Sequence, residues 1–133
     1  METIFKYRIL YADTDAMGVV YYGNYLRIYE AARGDFMRQV GLTFTKLLDE
    51  RGIICPVVNA TINYHKYARL DDEIIVKTRI SQIHGARMVY HQEIYNAENQ
   101  LINDIDVTVA YVNMQLKRPV RCPEDFNIFL TNE

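Results

Sequence analysis

Two carboxylates two residues apart, Asp13 and Asp15, head the stretch from Tyr11 to Tyr25, the densest run of unusual residues in this 133-residue chain. Gly18 follows them, and a helical pattern begins near Asn24. That arrangement suits the holding of a reactive carbonyl. Backbone N–H groups at a helix start, with the positive end of its dipole, stabilise a developing oxyanion. A nearby carboxylate would attack the carbonyl or take a proton from water. The same residues also make turns and helix caps, and on composition alone that plainer role stays open for both.

The elements that must position this stretch follow from hydrophobic period. Ile4 to Tyr11 alternates as a strand and ends in the turn formers of Ala12 to Gly18. A helix follows with Asn24 as its cap, its start open by a few residues. Tyr25, Ile28 or Tyr29, Ala32, Phe36 and Val40 line one face, and Gly41 stops it. Gly34 inside it costs about 1 kcal/mol against alanine, which a closely packed backbone such as a wrapped sheet would explain. A shorter helix runs from Thr45 to Arg51 and ends at Gly52. The period then becomes two, with strands expected over Pro56 to Tyr67, Ile74 to His84, Arg87 to Tyr95 and Leu101 to Met114. Ile105, Val107, Val109 and Tyr111 share one face of the last. The tail, with Pro119 and Pro123, is expected to be irregular.

Short turns force antiparallel neighbours. The fold class is therefore α+β, an antiparallel five-stranded sheet around one long helix, with residues 1–133 as one domain. The sheet's other face then needs a cover or a partner subunit, which points to an oligomer.

Half of the residues are hydrophobic and 24% are charged, the balance of a folded globule rather than a disordered chain. The formal charge of −2 provides no basic field for nucleic acid. Cys55 and Cys122 lie far apart and no Cys/His cluster occurs, so two reduced thiols are expected and no zinc site. Met1 to Leu10 carries Glu2, Lys6 and Arg8 and reads as neither a signal peptide nor a membrane span, so a soluble cytoplasmic protein is expected. Ser81, the chain's single serine, lacks a G-x-S-x-G setting.

The run Asp13-x-Asp15-x-x-Gly18-x-Val20-Tyr21-x-x-x-Tyr25, followed by Glu30-Ala31-Ala32-Arg33, resembles the hotdog-fold thioesterases. The nearer branch is the 4-hydroxybenzoyl-CoA thioesterase family with its Tol-Pal-associated acyl-CoA thioesterases. The stretch Tyr64-His65-Lys66-Tyr67-Ala68-Arg69-Leu70-Asp71-Asp72 is similar to a second family stretch, and the resemblance spans nearly the whole chain. It implies a hotdog fold and hydrolysis of acyl-CoA or aroyl-CoA to a carboxylate and free coenzyme A. No metal and no organic cofactor are implied, since coenzyme A belongs to the substrate. Acyl carrier protein is the other possible carrier. A homodimer with shared sites is implied, and a homotetramer of two dimers. The rival readings are a hydratase or dehydratase on acyl thioesters, which would pair a histidine with the carboxylate, and a non-enzymatic acyl-CoA or acyl-carrier-protein binding module.

Residue by residue, the family's catalytic carboxylate falls on Asp15, as nucleophile or general base. The backbone N–H near Tyr22 would polarise the carbonyl oxygen, and Tyr22 stands where many short-chain relatives have histidine. Asp13 would orient the loop, and Gly18 would let the backbone pass close to substrate. Phe44, Val57 and Val58 fall where relatives line the acyl pocket. Arg87, after the Gly85 turn, falls where relatives contact phosphate, with Lys66, Arg69, Lys117, Arg118 and Arg121 as other cations. Tyr67 replaces the family's usual proline. Glu30 lies where another hotdog branch places a catalytic glutamate, and an ion pair with Arg33 or a neighbouring strand is its plainer role. His65, His84 and His91 are dispersed and expected at the surface or in packing.

Overall fold

The computed structural model describes residues 1–130. In chain order it contains β1 (Glu2–Arg8), α1 (Asn24–Val40), α2 (Phe44–Arg51), β2 (Ile53–Ile54), β3 (Val57–Tyr64), β4 (Glu73–His84), β5 (Arg87–Tyr95), β6 (Leu101–Ala110), β7 (Val112–Asn113) and β8 (Arg118–Pro119). Five strands form an antiparallel sheet in the order β1-β4-β5-β6-β3. The hotdog architecture expected from the sequence is present.

Period two produces the sheet's inner face. Ile74, Val76, Thr78 and Ile80 of β4, Met88, Tyr90, Gln92 and Ile94 of β5, and Ile105, Val107 and Val109 of β6 are buried. They meet Tyr25, Ile28, Tyr29, Ala32, Phe36 and Met37 of α1, a stripe at 3.6-residue spacing. Both helices end on a glycine in the left-handed region, Gly41 at φ 83° and Gly52 at φ 66°. Gln92 ties several polar groups of this core together by hydrogen bonds. The Gln92 amide donates to the Tyr29 carbonyl at 3.1 Å and to Thr78 Oγ1 at 2.9 Å, while its oxygen accepts from Arg33. The Tyr29 hydroxyl donates to Asn103.

Several boundaries differ from expectation for identifiable reasons. β1 stops at Arg8 because Leu10 N–H turns inward to Asp13 Oδ2, 2.8 Å away, opening a 3-10 turn over Tyr11–Asp13. Gly23 rather than Asn24 caps α1, and Asn24 Nδ2 instead donates to the Asp13 carbonyl at 2.9 Å. Thr43 caps α2 through Lys46 N–H, so the helix begins at Phe44, one residue ahead of the expected start. β3 ends at Tyr64, not Tyr67. The strand expected to reach Met114 breaks at Tyr111, and Val112 and Asn113 join a second, three-stranded sheet in the order β2-β7-β8.

Gly34 lies inside α1 as expected, but without the close backbone contact expected around it. A Cβ there would meet only side chains, Arg38 Nη1 at 3.6 Å and Phe44 Cε2 at 3.7 Å, which are ordinary van der Waals contacts. No sheet backbone crowds it. Gly34→Ala should therefore stabilise the fold by up to about 1 kcal/mol, read as a higher urea midpoint at unchanged slope.

The outer sheet face carries Lys77, Arg79, His91, Glu93, Asp104 and Asp106, not an apolar surface. That face therefore does not itself call for a partner to cover it. What remains unsatisfied is an edge: among the described residues β3 pairs only with β6, and seven of its eight residues are exposed. On the outer face His65 Nε2 meets Asp104 Oδ2 at 2.7 Å, and His91 Nδ1 meets Asp106 Oδ1 at 2.8 Å. Partial burial pushes the Asp104 pKa up, but hydrogen bonds from Asn63 and His65 and the nearby histidine charges outweigh it and hold the group below the usual carboxylate range. A folded-state pKa below the unfolded one means that protonation favours unfolding. Asp104 thus contributes stability that is present at neutral pH and lost as the pH falls below about 4. Asp104→Asn should flatten the acid limb of the curve of stability against pH, measured by denaturant titration at a series of pH values.

Candidate active site

The loop between β1 and α1 is built around Asp13, which is fully buried. Its Oδ2 accepts from the Tyr7 hydroxyl at 2.8 Å and from Leu10 N–H, while Oδ1 is paired with Arg27. Its carbonyl accepts from Tyr21 N–H at 2.9 Å. One residue thus anchors both ends of the loop. Asp13 is a structural carboxylate with no free oxygen for chemistry.

Asp15 is held differently. Its backbone N–H bonds to the Val19 carbonyl at 2.9 Å, and Gly18, at φ 78°, closes the turn by donating to the Asp15 carbonyl at 3.1 Å. That left-handed angle requires glycine, and the space around Gly18 is open, so its visible role is the turn. Asp15 Oδ1 accepts from Met17 N–H at 2.8 Å. The carboxylate is exposed and oriented, and Oδ2 has no partner among the described residues.

A cleft of about 440 Å³ brings Asp15 together with Met17, Val19, Val20, Tyr22, Tyr25, Tyr64, Lys66, Tyr67 and Arg69. Two segments form its walls. Val20 N–H bonds to the Ala68 carbonyl at 2.9 Å, Ala68 N–H bonds to the Tyr25 hydroxyl at 3.2 Å, and the Tyr64 hydroxyl donates to the Tyr22 carbonyl at 3.0 Å. Burial, more than any neighbour, pushes the pKa of Tyr25 above the ordinary tyrosine value, so its hydroxyl stays protonated. Tyr22 and Tyr64 meet edge to face, with centroids 6.3 Å apart. Tyr22 lies two residues ahead of α1, and neither Tyr22 N–H nor Gly23 N–H has an acceptor among the described residues. The cleft therefore brings together a carboxylate, Tyr22 with its unpaired N–H just ahead of α1, and two cations, while Gly23 lines the neighbouring groove.

The other expected site residues lie elsewhere. Phe44 and Val57 line a second cavity of about 550 Å³, with Ile53, Cys55, Tyr90 and Val109. Burial pushes the Cys55 thiol up to about 11, against the opposing effect of Arg33, so at neutral pH it is a thiol rather than a thiolate. Val58 lines neither space because it is the extra residue of a β-bulge, its neighbours Val57 and Asn59 pairing with Val109 and Thr108. Arg87 pairs with His84 and Ala110 at a strand end and is not brought to either space. Of the six cations read from the sequence, Lys66 and Arg69 reach the Asp15 cleft. Glu30 makes no ion pair with Arg33, which instead donates to Gln92. The Tyr64 and Tyr67 rings were not expected in the site, although the resemblance in that stretch was the available signal. A groove of about 420 Å³ along α1 and β3, from Gly23 to Arg33, shares Glu30, Arg33 and Val57 with the second cavity.

Residues 9–130 match the model of the thioesterase-like superfamily. The chain is 37% identical over 124 residues to the acyl-CoA thioester hydrolase YbgC of Escherichia coli O6:H1, covering 92% of each chain. It is also similar to a solved probable thioesterase from Bartonella henselae, at 32% identity and a TM-score of 0.86, covering 92% of this chain and 100% of that one. The DHNA-CoA thioesterase from Staphylococcus aureus superposes with a TM-score of 0.84 at 31% identity, over 90% of this chain and 80% of that one.

Proposed function

The chain belongs to the thioesterase-like superfamily, and from that premise we propose that it hydrolyses acyl-CoA or aroyl-CoA to a carboxylate and free coenzyme A. The observation that carries this reading is the Asp15 carboxylate in one cleft with Tyr22, whose N–H at the start of α1 is unpaired. The thioester carbonyl oxygen would accept from these helix-start donors, which stabilise the oxyanion that forms on attack. Asp15 acts as general base, taking a proton from the attacking water, or as nucleophile, forming an anhydride that water then opens. In either route the C–S bond breaks and coenzyme A leaves as thiolate, to be protonated. Lys66 and Arg69 supply positive charge for its phosphates. The route uses no metal and no organic cofactor. Among the described residues no helix is long and apolar enough to cross a membrane, and the proposed compartment is the cytoplasm.

The acyl group needs an apolar space, and the cavity of Phe44 and Val57 shares no lining residue with the Asp15 cleft of the same chain. The open edge of β3 offers a second copy a place to pair. We propose a homodimer in which Asp15 of one copy serves the acyl cavity of the other, with a tetramer of two dimers as the full assembly. Mixing Asp15→Asn chains with Val57→Trp chains should then recover activity that neither variant has alone; no recovery in exchanged dimers overturns the shared site. The activity itself is tested by thiol release from short, long and aromatic acyl-CoAs, with acyl carrier protein thioesters as a further arm. Turnover of at least one member is expected, and a dominant aroyl preference would fit Tyr22. Failure on every member would leave a binding module instead.

A further inference from the structure

Asp13 and Arg33 are the charged residues buried in the core among the described residues. Asp13 has Arg27 as its counter-ion. Arg33 has none. It is 7% exposed, and its hydrogen bond runs from Nη1 to the neutral amide oxygen of Gln92 at 3.0 Å. A guanidinium has five N–H donors, and burying it without a counter-charge is costly. Desolvation accordingly pulls its pKa down, against smaller opposing effects of Tyr90, Glu30 and Cys55.

Arg33 also lines both the acyl cavity and the groove that adjoins it. The surrounding cavity wall is mainly apolar, with Phe44, Leu48, Ile53, Val57 and Val109. Glu30, exposed and three residues earlier on α1, lines the same cavity without coming within ion-pair distance. A purely hydrocarbon acyl chain would bury the cation further and leave its free donors unanswered. An acyl group bearing an acceptor oxygen would answer them with a charge-assisted hydrogen bond in a water-poor space.

We propose that Arg33 determines acyl specificity, selecting acyl groups that carry a hydroxyl or carboxylate oxygen over hydrocarbon groups of the same length. This rests on the reading that the Phe44 cavity takes the acyl group. The test compares kcat/KM for pentanoyl-CoA, 5-hydroxypentanoyl-CoA and glutaryl-CoA in the wild type, Arg33→Lys and Arg33→Met. The two oxygenated arms tell a hydroxyl from a carboxylate preference. In the wild type at least one should exceed pentanoyl-CoA by about tenfold or more. The ratio should collapse toward one in Arg33→Met and persist in part in Arg33→Lys. If Arg33→Met fails to fold, the lysine variant decides by its reduced ratio. A wild-type ratio near one, or a ratio unchanged by substitution, overturns the proposal. Should the wild type turn over none of the three, calorimetric binding of the non-hydrolysable thioether analogues of pentanoyl-CoA and glutaryl-CoA reads the same preference, and equal affinities overturn it; the thioesterase reading falls only if the wider panel of short, long and aromatic acyl-CoAs fails as well.

Discussion

Replacing Asp13 by alanine should lower stability by about 3 kcal/mol and the melting temperature by roughly 10 °C. The pair with Arg27 is the smaller part of this, because the arginine side chain is 54% exposed and solvent screens it. The larger part is what the substitution strands. Leu10 N–H and the Tyr7 hydroxyl both point at a carboxylate that is fully buried, and both would lose their acceptor. Because the Asp13 main chain also receives Tyr21 N–H and Asn24 Nδ2, movement here shifts the start of α1 relative to Asp15. Thioester hydrolysis should therefore fall along with stability. Asp13→Asn should recover little, since an amide presents only one acceptor oxygen where Leu10, Tyr7 and Arg27 all donate. Thermal unfolding and thiol release on the two variants check this, and a melting temperature within a degree or two of wild type would show that the loop does not depend on Asp13.

What could be read from the sequence was what local period and local caps determine. The stripe on α1, the glycine stops at 41 and 52, and β5 from Arg87 to Tyr95 are all written within a few residues of where they act. What escaped depends on partners distant in the chain. Tyr111 continues the alternation of β6, yet its N–H bonds to the Ala86 carbonyl and its carbonyl to Val120 N–H, so the chain leaves the main sheet there. The pairs His65–Asp104 and His91–Asp106 exist only through strand register, which no spacing in one strand reveals. Arg33 reads as a polar partner for Glu30, but the curve of the sheet around α1 puts Gln92 beside it instead. In the cleft, the nearness of Asp15 and Tyr22 was legible because loop and helix start are contiguous. The contribution of Tyr64, Lys66, Tyr67 and Arg69 depends on the bridge between Val19 and Arg69, formed across fifty residues of chain.

In the proposed reaction Asp15 carries the chemistry. Its substitution is well suited to a test because the side chain is exposed and supports the fold through one short local bond, Met17 N–H to Oδ1. An asparagine oxygen can keep that bond while losing both the basicity and the nucleophilicity of a carboxylate. Positioned acid–base groups contribute about 10²–10⁴-fold to rate, so Asp15→Asn should lose activity on that scale with a near-wild-type melting temperature. The loss should fall on kcat, with substrate affinity changed far less, because the helix-start donors and the cations of the cleft remain. The decisive measurement is thiol release by wild type and Asp15→Asn side by side on the best acyl-CoA of the panel, with kcat and KM resolved. A drop in kcat of about a hundredfold or more in a folded variant is the predicted result; an Asp15→Asn chain that turns over at the wild-type rate would contradict the assignment.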